Sequence, residues 1–286
     1  MPVAGFRPRR EPGSPVATSA GPIFVARRRA VRPRARPLVL IHGWLMAHGY
    51  FSALVDALAG ERELVLIDLP GHGESASPSP RSFPYDFDAF VGVIDQVVAQ
   101  LGLGEFDLLG HSLGGGVALR FAAHRKQVQK LTLVAPLVYR IPEPLEAMLL
   151  ALPGLGPLLW QRAVSRRDFA RTMRRDVEDR SVIGDHYIDW AYERFNRPGA
   201  RAASYASFDT GRNIPVENAT PALVAQPTLV IWGDADRLVP LSHGRRLSAA
   251  LPAGRLEIIP NTGHTPFIER PGVVVDALQR FWAEPG

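Results

Sequence analysis

The chain has 286 residues, 46% of them hydrophobic, enough to bury the core of one large α/β domain or of two smaller ones. It has no cysteine, which excludes disulfides, zinc–thiolate sites and a cysteine nucleophile. The net charge of +5 would suit a nucleic-acid binder, but nine arginines against the single acid Glu11 put +8 in the first 36 residues, leaving −3 on residues 37–286.

The first 22 residues are rich in Pro, Gly, Ser and Arg, a composition too polar to bury its own backbone. We expect a disordered basic arm over 1–22, the one part of the chain suited to an anionic surface; no nucleic-acid partner is expected. Before Arg27 no apolar run is longer than PIFVA, too short for a secretory signal, so the expected location is the cytoplasm. The apolar stretch Met148 to Trp160 is interrupted by Pro153, Gly154, Gly156 and Pro157 and is not expected to span a membrane.

From Pro37 onward, short apolar runs ending in Gly or Pro alternate with longer helical patterns. PLVLIHG, ELVLIDLPGHG, FDLLGHS, KLTLVAP, PTLVIWGDAD and RLEIIPNTGH read as strands buried on both faces. FDAFVGVIDQVVAQLGL, GVALRFAAHRKQV, SHGRRLSAALP and PGVVVDALQRFW space their apolar residues at three and four. Strand and helix in alternation predict an α/β fold with a doubly wound, mostly parallel sheet. From residue 139 to 225 only helical patterns occur, which predicts an inserted helical subdomain splitting the core into 23–138 and 226–286.

Between a strand and a helix lies Gly110-His111-Ser112-Leu113-Gly114, a G-x-S-x-G match that lifts Ser112 above the carboxyl edge of the sheet. A phosphate-binding loop is the competing reading, but neither lysine of the chain, Lys126 or Lys130, lies in it. A serine hydroxyl needs a base, and the base needs a carboxylate to fix its tautomer. Asp236 and His264 follow the last two strand-like runs and therefore project from the same edge as Ser112. Asp234 shares the acid loop with Asp236.

The chain from Pro37 to its end resembles the α/β-hydrolase family in HGW (His42 to Trp44), DLPGHGES (Asp68 to Ser75), GHSLGG (Gly110 to Gly115), WGDADRLVP (Trp232 to Pro240) and GHTPFIERP (Gly263 to Pro271). The resemblance implies a Ser112-His264-Asp236 triad, Asp236 being favoured because the Arg-x-Val-Pro-like turn follows it. It also implies an oxyanion hole made by the backbone N–H groups of Trp44 and Leu113, and a helical cap over 139–225. His42 and His111, with Leu149, Leu155 and Trp160 of the apolar cap, are the expected substrate contacts. No motif calls for a metal or another cofactor.

A serine nucleophile implies acyl transfer, and the apolar cap points to a carboxylic ester with a hydrophobic acyl or alcohol group. Thioester, lactone and carbon–carbon hydrolysis use the same triad, and a small-molecule receptor with negligible turnover uses the same fold.

Overall fold

The computed structural model describes residues 5–141, 150, 152–212 and 220–284. Its framework is an eight-stranded sheet of β1 (Gly13–Thr18), β2 (Gly21–Arg28), β3 (Leu38–Ile41), β4 (Leu64–Ile67), β5 (Phe106–His111), β6 (Val128–Val134), β7 (Thr228–Gly233) and β8 (Gly254–Ile259). The order is β1-β2-β4-β3-β5-β6-β7-β8, with β1 and β2 antiparallel to their neighbours and β4 through β8 parallel. All six strands expected from the apolar runs form.

Alternation along each strand divides the core into two layers. Val39, Ile41, Val65 and Ile67 face α2 (Phe87–Gln100) and α3 (Leu113–Ala123), meeting Phe90, Ile94 and Val117. Leu38, Leu40, Leu64 and Leu66 face the opposite layer, with Leu54 of α1 (Ser52–Leu58). Leu278 of the C-terminal helix (Pro271–Ala283) belongs to the same layer. Asp86 starts α2 by accepting a hydrogen bond from the Ala89 N–H, a side-chain N-cap.

Between β6 and β7 the described residues form α4 (Leu155–Ala163), α5 (Arg166–Arg175), α6 (Asp185–Phe195) and α7 (Ala200–Arg212). Ser165 and Asp168 close a capping box at the start of α5. After β7 come α8 (Leu241–Ala250), the short α9 (Pro266–Glu269) and α10 (Pro271–Ala283).

The expected disorder of residues 1–22 does not hold for the described part of that segment. Gly13–Thr18 and Gly21–Arg28 pair as a hairpin in which Ser19 and Ala20 turn the chain and Gly21 takes φ +89°. Thr18 Oγ1 secures the turn, donating to the Gly21 carbonyl at 2.7 Å. Pro15 is tolerated because β1 is an edge strand, where a missing N–H costs no ladder bond. Ahead of the hairpin, the Arg9 N–H donates to Ser52 Oγ and its guanidinium pairs with Asp56 and Glu11. Phe6 is buried, and its N–H donates to the Val182 carbonyl between α5 and α6.

Candidate active site

Ser112 stands between β5 and α3 with φ +51° and ψ −116°, a conformation rarely adopted by a residue with a side chain. The turn is held by close backbone approach. A Cβ on Gly114 would come within 2.4 Å of the His42 carbonyl oxygen, and one on Gly116 within 2.4 Å of that of Leu137. Gly115 clears Pro136 and Gly116 clears Leu137 and Phe87, while Gly114 meets the end of β3. The N–H of Leu113, at the first position of α3, is one of the first four of the helix, which have no carbonyl one turn earlier in the helix to bond.

Asp236 and His264 leave the carboxyl ends of β7 and β8. His264 Nδ1–H donates to Asp236 Oδ2 at 2.8 Å. Asp236 Oδ1 accepts the N–H groups of Leu238 and Val239, both at 2.9 Å, so the carboxylate is fixed at both oxygens. Asp234 accepts instead from the Thr262 N–H, which resolves the choice between the two acids in favour of Asp236 as the partner of His264. Burial pulls the His264 ring down, but the Asp236 carboxylate, with Asp176 and Glu269 beyond it, outweighs burial and holds its pKa above the ordinary imidazole value. Its Nε2 is buried without a partner. Ser112 and His264 line one cavity of about 410 Å³, counting its open mouth, with Trp44, Met46, His111, Met173, Asp176, Val177, Tyr187, Leu238 and Thr265.

The candidate substrate contacts divide. His111 lines the cavity, and its Nε2–H donates to the His264 carbonyl at 2.9 Å; burial and the nearby His264 keep it neutral, well below the usual imidazole range. His42 is fully buried and engaged with backbone on both sides, Nδ1–H to the Gly43 carbonyl and Nε2 from the Leu69 N–H, so it shapes the loop and does not reach substrate. Leu155, 43% exposed, faces solvent from α4 and does not line the cavity. Leu149 lies outside the described residues. Trp160 sits one layer behind the cavity: its ring stacks on Trp44 at 5.4 Å, and its Nε1–H donates to Ser204 Oγ. Trp44 Nε1–H donates to the carbonyl of the same Ser204, so one residue of α7 receives both indoles.

Three acidic residues, two of them inside the family motifs, make contacts that the motifs do not disclose. Asp68 is fully buried behind the His42 loop and accepts from the His48 N–H and Nδ1–H and from the Glu74 N–H. Burial raises its pKa, but His48 wins and holds it below the ordinary value. Glu269, inside the motif that contains His264, accepts from Gly263 N–H with one oxygen and from Glu178 and Asp179 N–H with the other. The third, Asp176, caps α5 at its C-terminus, and its carbonyl accepts the His264 N–H at 2.7 Å. Glu269 is visible in sequence as a residue but not as a bridge, because two of its three partners are backbone groups about 90 residues away.

Comparison with known proteins bears on the fold and the family. The profile of the alpha/beta hydrolase fold matches residues 36–271. An uncharacterized hydrolase, YugF, of Bacillus subtilis is 27% identical over 251 residues, covering 87% of this chain and 90% of that one. A pimeloyl-(acyl-carrier protein) methyl ester esterase of Xanthomonas oryzae is 32% identical over 265 residues, 86% of this chain and 94% of the relative. Among solved structures, the esterase EaEST of Exiguobacterium antarcticum superposes with a TM-score of 0.81 at 18% identity, covering 96% of this chain and all of that one, 100%. The meta-cleavage product hydrolase CumD of Pseudomonas fluorescens superposes with 0.79 at 21% identity, covering 94% and 97%. The chain belongs to the alpha/beta hydrolase fold family and is a hydrolase.

Proposed function

We propose that the protein hydrolyses a carboxylic ester through an acyl-enzyme, with Ser112 as nucleophile, His264 as general base and then general acid, and Asp236 fixing the imidazole. The observation that carries this reading is the 2.8 Å bond from His264 Nδ1–H to Asp236, which leaves the Nε2 lone pair unpaired in the cavity that Ser112 also lines. Ser112 Oγ attacks the ester carbonyl carbon and its proton passes to His264 Nε2. The carbonyl oxygen takes up the electron pair as an oxyanion beside the N–H groups of Leu113 and Trp44. Removing one donor from such a pair typically costs about 10²–10³ in kcat. Collapse expels the alcohol, which takes the proton from His264; water then repeats the sequence on the acyl-enzyme, giving the carboxylic acid and restoring Ser112.

The apolar lining by Trp44, Met46, Met173, Val177 and Leu238 favours a hydrophobic acyl or alcohol group. The 32% identical relative named as a methyl ester esterase favours an ester over a thioester, a lactone or a carbon–carbon bond. In this reading residues 139–225 form the cap over the site, and Trp44 couples it to the oxyanion loop.

The test is hydrolysis of p-nitrophenyl esters from acetate to palmitate by the protein and by Ser112→Ala, with fluorophosphonate labelling of both. Turnover peaking at one chain length and lost in Ser112→Ala supports the reading. Labelling without turnover would move it to one of the other substrates of the same triad. Absence of both would leave a binding protein.

A further inference from the structure

Of the charged side chains lining the cavity, Asp176 is the one that the catalytic scheme leaves unused. It arrives from the cap, at the C-terminal end of α5, and its backbone is held against the catalytic loop. Its carbonyl is bonded to the His264 N–H, and a Cβ on Gly263 would come within 2.6 Å of that carbonyl oxygen and 2.8 Å of Val177 Cα. Cap and catalytic loop are therefore in direct backbone contact at this point.

The carboxyl itself is incompletely served. Its side chain is 15% exposed, and Oδ1 is shut off from solvent without a hydrogen-bond partner. The Arg175 guanidinium forms a long ion pair with it, 3.8 Å from Nε to Oδ1, too long for a good hydrogen bond and with its own side chain 48% exposed. Sitting at a helix C-terminus, the carboxyl also faces the negative end of the α5 dipole. A buried acceptor left in this state costs stability unless something else supplies a donor. Besides His264 Nε2, two other polar atoms of the same cavity, His111 Nδ1 and Thr265 Oγ1, are buried and unpaired as well. His111 gives its proton to the His264 carbonyl, so its Nδ1 is an acceptor too. None of the described lining residues is Lys or Arg.

Resting on the ester-hydrolase reading, we propose that Asp176 sets the charge specificity of the site: it rejects esters that carry a carboxylate near the scissile bond and favours neutral esters or those bearing an ammonium or hydroxyl donor. An anionic substrate group entering this cavity meets a like charge whose one arginine partner, Arg175, stands 3.8 Å off and outside the lining, whereas a donor meets unsatisfied acceptors. Burial pushes the Asp176 carboxyl up to about 6, so the rejection operates above that pH and fades below it. The groups that face it are His264 and Asp236 from the catalytic loops, Arg175 on its own helix and Tyr187 of α6. Titration of His264 acts equally on all substrates and cancels from a ratio of rates.

The experiment compares methyl hexanoate, monomethyl adipate and methyl 6-aminohexanoate, three esters of matched length, by pH-stat with the full-length protein, Asp176→Asn and Asp176→Ser. At pH 8 the neutral ester is expected to exceed the adipate in kcat/KM by about tenfold or more, with the amino ester at least equal to the neutral one. Either variant should shrink the neutral-to-adipate ratio by about tenfold, and in the wild-type protein the ratio should narrow between pH 8 and pH 5.5. An unchanged ratio in both folded variants overturns the proposal. Ser112 inactivation by p-nitrophenyl hexylphosphonate and by its ω-carboxypentyl counterpart reads the same discrimination without turnover. Failure of the ester reading, labelling with no ester cleaved, is thereby separated from failure of the assignment to Asp176, equal inactivation of wild type by the two phosphonates.

Discussion

Glu269 Oε1 accepts the Gly263 N–H at 2.8 Å, immediately before His264 in the chain, while its second oxygen holds the N–H groups of Glu178 and Asp179 between α5 and α6. A single buried carboxylate thus ties the loop of the proposed base to the segment that follows Asp176. Glu269→Ala strands three backbone donors, and each buried unsatisfied group costs about 1–3 kcal/mol. Thermal unfolding should show a loss of about 3 kcal/mol or more. The surviving folded fraction should have a lower kcat with Ser112 still open to fluorophosphonate.

Ser112 holds φ +51°, where a glycine is unstrained. Ser112→Gly is expected to be inactive and yet more stable than the wild-type protein by about 1 kcal/mol. Ser112→Ala, equally inactive, keeps the strained backbone and should not gain. Chemical denaturation of the three proteins checks the difference.

His264 carries a pKa above the ordinary value, and a general base works only when unprotonated. A raised pKa moves the acidic limb of the activity profile upward, so kcat/KM should rise with pH through an apparent pKa above 6.5. Asp236→Asn removes the largest influence that raises it. The limb should move to lower pH while kcat falls by about 10⁴, since the amide no longer fixes the tautomer. Initial rates from pH 5 to 9 read both.

Asp176 predicts a stability change of opposite sign to that of most carboxylates. Its folded pKa of about 6 exceeds the unfolded value, so the native state binds the proton more tightly. As pH rises from about 4 to 6 the unfolded chain loses its proton first and stability falls; above pH 6 the deficit is constant. Asp176→Asn should therefore raise the unfolding free energy by about 2 kcal/mol at pH 8 and leave it nearly unchanged at pH 3.5. Denaturant melts at the two pH values test this.

The strands and the serine, histidine and aspartate loops were legible in sequence because local signals set them: continuous apolar runs, glycines at a sharp turn, a carboxylate ahead of a Val-Pro turn. The disordered arm was misread because composition hides a two-residue turn, Ser19-Ala20, and because the ordering of Phe6 and Arg9 depends on Val182, Ser52 and Asp56, far away in the chain. Leu155 and His42 show the same limit from the other side. Leu155 belongs to an apolar run, yet its helix turns it outward; His42 stands in a motif loop, yet backbone groups take both ring nitrogens. Asp176 carried no signal at all, since its significance lies in what the fold sets beside it.

Trp44 supplies one of the proposed oxyanion donors from its backbone while its indole is stacked on Trp160 and bonded to Ser204, both in the proposed cap. Two chromophores in face-to-face contact absorb and emit differently from separated ones, and here the contact spans the core–cap boundary. The protein accordingly contains a built-in optical gauge: any lifting of the cap that parts these rings changes its near-ultraviolet dichroism and tryptophan emission, at the same moment as it frees the loop that positions the Trp44 N–H.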